Sequence, residues 1–124
     1  MAATVLIIDD EIHIRRLTAH VLEVAGYRVI EAASGRQALR MIEETLPDVI
    51  TCDISMPGMS GFEVLQAIKS HPTAAGIPVI MLTAIGQEKD SSRAMALGAA
   101  DYITKPFSST NLVETIQRQL TARQ

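Results

Sequence analysis

The sequence predicts an α/β fold in which a parallel sheet lies between two layers of helices. Five short runs of β-branched and apolar residues recur along the chain, at residues 5–8, 27–30, 49–51, 79–82 and 102–104. Each run is nearly continuous in apolar residues rather than alternating, as in strands that are covered on both faces. Helical segments separate the runs. The chain should therefore form (βα)5 units with right-handed crossovers, a doubly wound three-layer sandwich.

The connecting segments carry helical spacing and helix-ending glycines. Residues 12–25 form the first helical stretch, and Gly26 follows it where a left-handed residue ends a helix. Later segments place apolar residues on one stripe, which must cover a sheet. These stripes are Phe62, Leu65 and Ile68 in the third helix and Leu112, Val113, Ile116 and Leu120 in the fifth.

The fourth helix is predicted to be the weakest. Residues 87–97 are polar over most of their length, with Met95 and Leu97 as the main apolar anchors before Gly98. A helix with a narrow apolar face gains little free energy from packing. We therefore expect this segment to move first.

Composition limits the classes of protein to consider. A length of 124 residues with 48% hydrophobic and 20% charged residues predicts one globular domain, 1–124. The net charge of −3 and the lack of a basic run argue against nucleic acid and anionic membranes as partners. Cys52 is the single cysteine and should be a small buried residue. No stretch is suited to a signal peptide or a membrane span, so we expect a cytoplasmic protein.

Polar residues follow four of the five predicted strands. In open α/β sheets, ligands bind beyond the carboxyl ends of the strands. If strands 1, 3, 4 and 5 are neighbours, three carboxylates, one hydroxyl and one ammonium meet at this edge. Two carboxylates at about 4 Å repel by roughly 4 kcal/mol at an effective dielectric near 20, so a hard divalent cation such as Mg²⁺ is expected. The residues are Asp9 and Asp10, Asp53, Thr83, and Lys105.

Other phosphate chemistries fit these residues poorly. Two carboxylates after the first strand would repel a dinucleotide or flavin phosphate, and the chain has no G-x-x-x-x-G-K-[ST] loop. A haloacid-dehalogenase-type phosphotransferase needs a second acid two residues after the first and a small hydroxyl residue further on. Asp9 is followed by Glu11, but Ile12 and His13 come next. A phosphatase or phosphotransferase acting on metabolites therefore ranks last.

The motifs at the strand ends resemble those of the response-regulator receiver domains of two-component signalling, over nearly the whole chain. The resemblance implies a flavodoxin-like fold with strand order 2-1-3-4-5, a histidine kinase or phosphotransfer protein as donor, and a downstream effector protein or domain. The motifs are Asp9-Asp10-Glu11, Asp53-Ile54-Ser55-Met56-Pro57-Gly58-Met59-Ser60-Gly61-Phe62, Thr83-Ala84 and Lys105-Pro106-Phe107.

The resemblance also implies a role for each position. Asp53 would be the acceptor that becomes an aspartyl phosphate, and Lys105 and Thr83 would contact the phosphoryl oxygens. Mg²⁺ would bind Asp10, Asp53 and the carbonyl of Ser55 directly, and Asp9 mainly through water. The Lys105–Pro106 bond would be cis. Tyr102 would act with Thr83 in a switch that is read out on the fourth helix, the fifth strand and the last helix.

Simpler interpretations stay open beside these roles. An Asp-Asp pair after a strand can be a helix cap, and Tyr102 can be a half-buried residue without a switching role. Met56 and Met59 are expected to pack in a loop. Solvated positions are expected for His13, His20 and His71.

Two further questions also remain open on the sequence alone. The resemblance places Ser55 and Ile85 at positions whose side chains tune water access to the phosphoryl group. Asn111 and Thr115 are uncharged where dimerising receivers use ion pairs, although Asp101 and Arg118 could contribute, so a homodimer remains possible. The alternative function is a receiver-like interaction module that signals without phosphorylation.

Overall fold

Five strands and five helices alternate in a computed structural model that describes residues 2–123. The end residues Met1 and Gln124 of the predicted domain 1–124 lie outside the described residues. The strands are β1 (Thr4–Ile8), β2 (Arg28–Ala32), β3 (Val49–Asp53), β4 (Val79–Ala84) and β5 (Asp101–Lys105). The helices are α1 (Ile12–Val24), α2 (Gly35–Glu44), α3 (Gly61–Lys69), α4 (Glu88–Ala96) and α5 (Ser109–Arg123).

The strands form one parallel sheet in the order β2-β1-β3-β4-β5. The predicted α/β class, doubly wound topology and strand order are confirmed. Because β1 and β3 are adjacent at the centre of the sheet, their carboxyl ends meet at one point on its edge.

A separate apolar cluster covers each face of the sheet. One cluster packs α2, α3 and part of α4 against the sheet, with Leu6 and Ile8 from β1 and Leu65 and Ile68 from α3. The other packs α1 and α5 against the opposite face, around residues such as Ile7 and Ile116. Alternate residues of the central strands enter different clusters, which is why these strands are almost uniformly apolar in sequence.

The strands differ from their predicted limits mainly at their ends. β2 begins at Arg28 rather than Tyr27, because the Tyr27 N–H donates to the Leu22 carbonyl (3.0 Å) and helps to end α1. Gly26 between them has a φ of +99°, the left-handed conformation expected of a helix-ending glycine. β3 and β5 extend to Asp53 and Lys105, so these two residues belong to strands rather than to loops.

Side-chain hydrogen bonds cap the N-termini of α1 and α3, and they show which acidic residues act as caps. Glu11 caps α1, with its carboxylate accepting from the His13 and Ile14 N–H groups, and these bonds lower the Glu11 pKa. The Asp9 and Asp10 side chains are therefore not the α1 cap. Ser60 and Glu63 form a capping box on α3.

The fourth helix is weakly anchored, but not by the residues that the sequence indicated. Gln87, at its N-cap position, makes no side-chain capping bond, and the buried residues of the helix are Ser91 and Ala94. The prediction for Met95 is wrong, because its side chain points outward and is 43% exposed. Leu97 does pack against the core.

The histidines differ from one another. His13 and His20 are exposed, as expected. The prediction for His71 is wrong: its Nε2 lies 2.7 Å from Glu43 Oε1, and its Nδ1 accepts from the Thr73 and Ala74 N–H groups. His71 therefore joins α2 to the turn that follows α3. Within residues 2–123, no helix is long and apolar enough to cross a membrane.

Candidate functional site

Three carboxylates converge at the carboxyl edge of the sheet. Asp9 and Asp10 directly follow β1, and Asp53 ends the adjacent β3. One oxygen from each carboxylate lies within 4.8 Å of the others. Asp9 is 1% exposed, whereas Asp10 is open to solvent. Such a group repels itself strongly unless positive charge compensates it.

Lys105 supplies one positive charge to this group. From the end of β5, its Nζ lies 3.1 Å from Asp53 Oδ2 and 3.6 Å from Asp9 Oδ2. The Lys105–Pro106 peptide bond is cis. The ammonium therefore bridges two acids that belong to neighbouring segments of the sheet edge.

Burial dominates the electrostatics of Asp53. Removal from water raises the pKa of its carboxyl group, and the nearby Asp9 charge raises it further. The Lys105 charge, the Lys105 hydrogen bond and the Ser55 N–H lower the pKa, but they do not offset the effect of burial. Without additional positive charge, the ionised form of Asp53 is less favourable in the folded protein than it is for an aspartate in water.

Two buried oxygens at the site have no hydrogen-bond partner among the described residues. They are Asp9 Oδ2 and Thr83 Oγ1. Buried polar atoms are nearly always satisfied, so such atoms beside a cleft indicate a ligand. The carboxylate oxygen calls for a cation, and the hydroxyl can donate to an anionic oxygen.

A cleft of about 420 Å³ opens beside Thr83. Asp53, Ser55, Thr83 and Lys105 line it together with Gln87 and Asp90 from the start of α4. Gln87 and Asp90 were not predicted from the sequence, because a polar helix without a wide apolar face is usually a solvated surface.

The loop after β3 is held tightly beneath Asp53. The Gly61 N–H donates to the Ile54 carbonyl at 2.9 Å. A Cβ at Gly61 would collide with the Asp53 carbonyl oxygen and lie 2.7 Å from the Ile54 Cα. Glycine is therefore required for the close approach of the start of α3 to the end of β3.

Tyr102 lies in a different cavity from Thr83. Its side chain is 43% exposed and lines a cleft of about 730 Å³ with Ile85, Ser91 and Met95. Ala84 and Gln87 line both clefts and separate them. The resemblance links Tyr102 to Thr83, and these two side chains line different clefts.

The donor set suits a hard divalent cation. Carboxylate oxygens, a backbone carbonyl and water are the ligands that Mg²⁺ prefers. Asp9, Asp10 and Asp53 form a cluster that could bind a metal ion, and the unsatisfied Asp9 Oδ2 provides a ligand atom. These residues fit the predicted cation.

A parallel sheet of this order, with acids at the carboxyl ends of β1 and β3 and a lysine at the end of β5, places the site where open α/β domains bind their ligands. The chain belongs to the response regulator receiver domain family, whose model matches residues 5–117. It is thus a signalling domain of the kind found in two-component systems.

Known proteins of the family are similar along almost the entire chain. The phosphate regulon transcriptional regulatory protein PhoB of Pseudomonas aeruginosa is 44% identical over 117 residues, which cover 94% of this chain and 51% of PhoB. The probable transcriptional regulator ycf27 of Guillardia theta is 40% identical over 94% of this chain and 44% of its own. The chain therefore spans about half the length of the curated relatives that it matches.

Solved structures give the same fold over full receiver lengths. A putative response regulator from Chloroflexus aurantiacus superposes with a TM-score of 0.95 at 36% identity, covering 98% of this chain and 99% of that one. The chemotaxis protein CheY4 of Vibrio cholerae has a TM-score of 0.91 at 38% identity, covering 96% and 99%.

Proposed function

We propose that this chain is a single receiver domain in which Asp53 accepts a phosphoryl group from the phosphohistidine of a histidine kinase or phosphotransfer protein. The arrangement of Asp53 carries this proposal. Its carboxylate lies close to Asp9, Asp10 and Lys105. It also lines the cleft that contains the Thr83 hydroxyl, which has no hydrogen-bond partner among the described residues. Phosphoryl transfer depends mainly on positioning and charge neutralisation, and these groups supply both.

Each residue has a defined part in the transfer. An Asp53 carboxylate oxygen forms a bond to phosphorus while the P–N bond to the donor imidazole breaks, and the departing nitrogen keeps the electron pair. Lys105 pairs with the phosphoryl oxygens, and the Thr83 hydroxyl donates to one of them. Asp10, Asp53 and the Ser55 carbonyl would hold Mg²⁺ directly, and Asp9 would hold it mainly through water. When bound, Mg²⁺ supplies charge neutralisation.

The added charge provides a switch. A phosphoryl group carries about −1.5 to −2 charges, which draw the Thr83 hydroxyl inward. Since Thr83 and Tyr102 occupy adjoining clefts separated by Ala84 and Gln87, a shift of the β4–α4 connection lets Tyr102 change position. The surface of α4, β5 and α5 then binds or releases an effector protein or domain, or a second copy of the chain. Nucleic acid and membrane are not direct partners in this proposal.

Acceptor function can be tested with a small phosphodonor. Incubation with acetyl phosphate and Mg²⁺ should add the mass of one phosphoryl group, and Asp53→Asn should abolish the addition. Asp101→Asn is a matched control, since that acid pairs with Arg118 away from the cleft. Intact-mass spectrometry reads all three proteins. No added mass with any donor would overturn the proposal.

The same samples test the alternative of an interaction module that signals without phosphorylation. Mg²⁺ should raise the thermal midpoint of the unaltered chain by mass action on the folded state. An unchanged midpoint together with no added mass would favour the interaction module.

A further inference from the structure

Arg15 of α1 contacts the main chain that carries the acidic cluster. Its Nη1 donates to the Asp9 carbonyl at 2.9 Å. Its Nε donates to Glu31 Oε1 of β2 at 3.1 Å. The Arg15 side chain is only 13% exposed. The guanidinium therefore joins β2 to the β1–α1 connection, directly behind the carboxylates.

Further hydrogen bonds hold Asp9 in place. The Asp9 N–H donates to the Ala32 carbonyl at 3.1 Å, and Asp9 Oδ1 accepts from the Glu11 N–H at 2.9 Å. The Asp9 carbonyl belongs to the peptide unit that leads into Asp10. Because a peptide unit is planar, fixing this carbonyl also fixes the Asp10 nitrogen and the direction in which the Asp10 chain leaves.

Asp10 needs this support more than the other two acids do. Asp9 is buried and Asp53 ends a central strand, but the Asp10 side chain is exposed and lies outside both β1 and α1. Within residues 2–123, the Asp10 side chain forms no hydrogen bond or ion pair with another residue. The orientation of its carboxylate therefore depends on the main chain that Arg15 holds.

We propose that Arg15 is a positioning residue for the cation site, and that Glu31 orients Arg15 for this role. The inference rests on the proposed binding of Mg²⁺. Groups that orient metal ligands from behind typically change metal affinity by about 10–100-fold when they are removed. Arg15 acts through the Asp9 carbonyl and touches neither the phosphoryl group nor the metal.

Charge and positioning predict opposite signs here. Removing a positive charge near three carboxylates should strengthen the binding of a cation if charge alone matters. Removing the support of Asp10 should weaken binding. The sign of the change in Mg²⁺ affinity therefore separates the two effects.

Arg16 offers a matched control. It is the next residue of α1, its Nε lies 4.0 Å from the other Glu31 oxygen, and its side chain is 72% exposed. Arg16→Gln removes the same charge from the same helix, but Arg16 has no described hydrogen bond to Asp9. Arg15→Lys keeps the charge but loses the planar guanidinium group, which donates to two acceptors at once.

Isothermal titration calorimetry with MgCl₂ tests the inference on the folded variants. We expect Arg15→Gln to weaken Mg²⁺ binding about ten-fold, Arg15→Lys to weaken it by less, and Arg16→Gln to leave it unchanged or slightly stronger. Glu31→Gln, which keeps Arg15 but loosens its anchor, should also weaken binding, although the lost charge predicts the same sign. Arg15→Lys, which keeps the charge, therefore serves if Arg15→Gln does not fold.

Binding by Arg15→Gln as tight as or tighter than that of the unaltered chain would overturn the positioning role. Equal weakening by Arg15→Gln and Arg16→Gln would overturn it as well. An unaltered chain that binds no Mg²⁺ would instead overturn the proposed function, and this inference with it, so the two failures are distinguishable.

Discussion

Asp53 carries its carboxylate at a position where burial opposes ionisation. Its carboxylate is 13% exposed, 3.1 Å from Lys105, and close to two other acids. Burial raises its pKa in spite of the lysine, so the folded protein binds a proton at Asp53 more readily than the unfolded chain does. The same unfavourable charge gives the carboxylate affinity for a cation.

Asp53→Asn should therefore stabilise the metal-free protein at neutral pH, because the amide carries no charge that burial opposes. In the unaltered chain, the stability due to the protonated acid is fully present below the unfolded pKa of 3.8 and is lost as the pH rises through the raised folded pKa. The advantage of the variant should grow over that window and then level off. Urea unfolding with a chelator, at a series of pH values, measures it.

Saturating Mg²⁺ is the control for this prediction. The cation binds the ionised acid and stabilises the unaltered chain more than the variant. The advantage of Asp53→Asn should therefore shrink when Mg²⁺ is added. A variant that is less stable than the unaltered chain at neutral pH without metal would contradict the prediction.

At the scale of elements, α4 depends on few contacts. It lacks a side-chain cap, and its buried residues are small. One further contact ties it to α3: the Arg93 guanidinium carbon lies 4.1 Å from the centre of the Phe62 ring. Phe62 follows Gly61, which packs closely against the main chain of Asp53. The contact between Arg93 and Phe62 therefore links α4 to the segment that joins β3 to α3.

Loss of that contact should loosen α4 specifically. Arg93→Gln should lower the local opening free energy of α4 by about 0.5–1 kcal/mol, the usual strength of a cation–π contact. Arg93→Lys, which keeps the charge, should have a smaller effect. Native-state hydrogen exchange by NMR resolves the α4 amides from those of α3. Uniform change across the protein, or no change in α4, would contradict this prediction.

On the scale of the whole molecule, one sheet joins two cores. Ile68 lies in the cluster under α3 and Ile116 in the cluster under α5, and both are fully buried. The central strands contribute residues to both clusters. If these strands separate, both clusters therefore lose part of their packing. The chain should therefore unfold as one cooperative unit.

Truncation on either face should have the same kind of effect. Ile68→Ala and Ile116→Ala should each lower the free energy of unfolding by about 2–5 kcal/mol. Ile85→Ala is the control, because Ile85 is 68% exposed and its loss should change stability by less than about 0.5 kcal/mol. Denaturation followed by circular dichroism and by tyrosine fluorescence should give coincident curves. Separate transitions would show that the two cores unfold independently.

Local sequence patterns were sufficient to predict most of the fold. Runs of apolar residues indicated the strands, and the glycines at 26 and 98 indicated helix ends because backbone sterics act within a few residues. Chain direction then placed Asp9, Asp10, Asp53, Thr83 and Lys105 on one edge. Periodicity was weaker for α4, where so few apolar residues occur that the orientation of Met95 could not be inferred.

The sequence by itself determined the fold class and which residue types gather at the carboxyl edge, since burial periodicity and parallel strand direction are read from neighbouring residues. Only the tertiary structure decided which of those groups touch. The contact of Arg15 with Glu31 and Asp9, the bond between His71 and Glu43, and the separate clefts of Thr83 and Tyr102 all join elements that meet only after packing. Side-chain distances across elements depend on helix placement against the sheet, which no local spacing specifies.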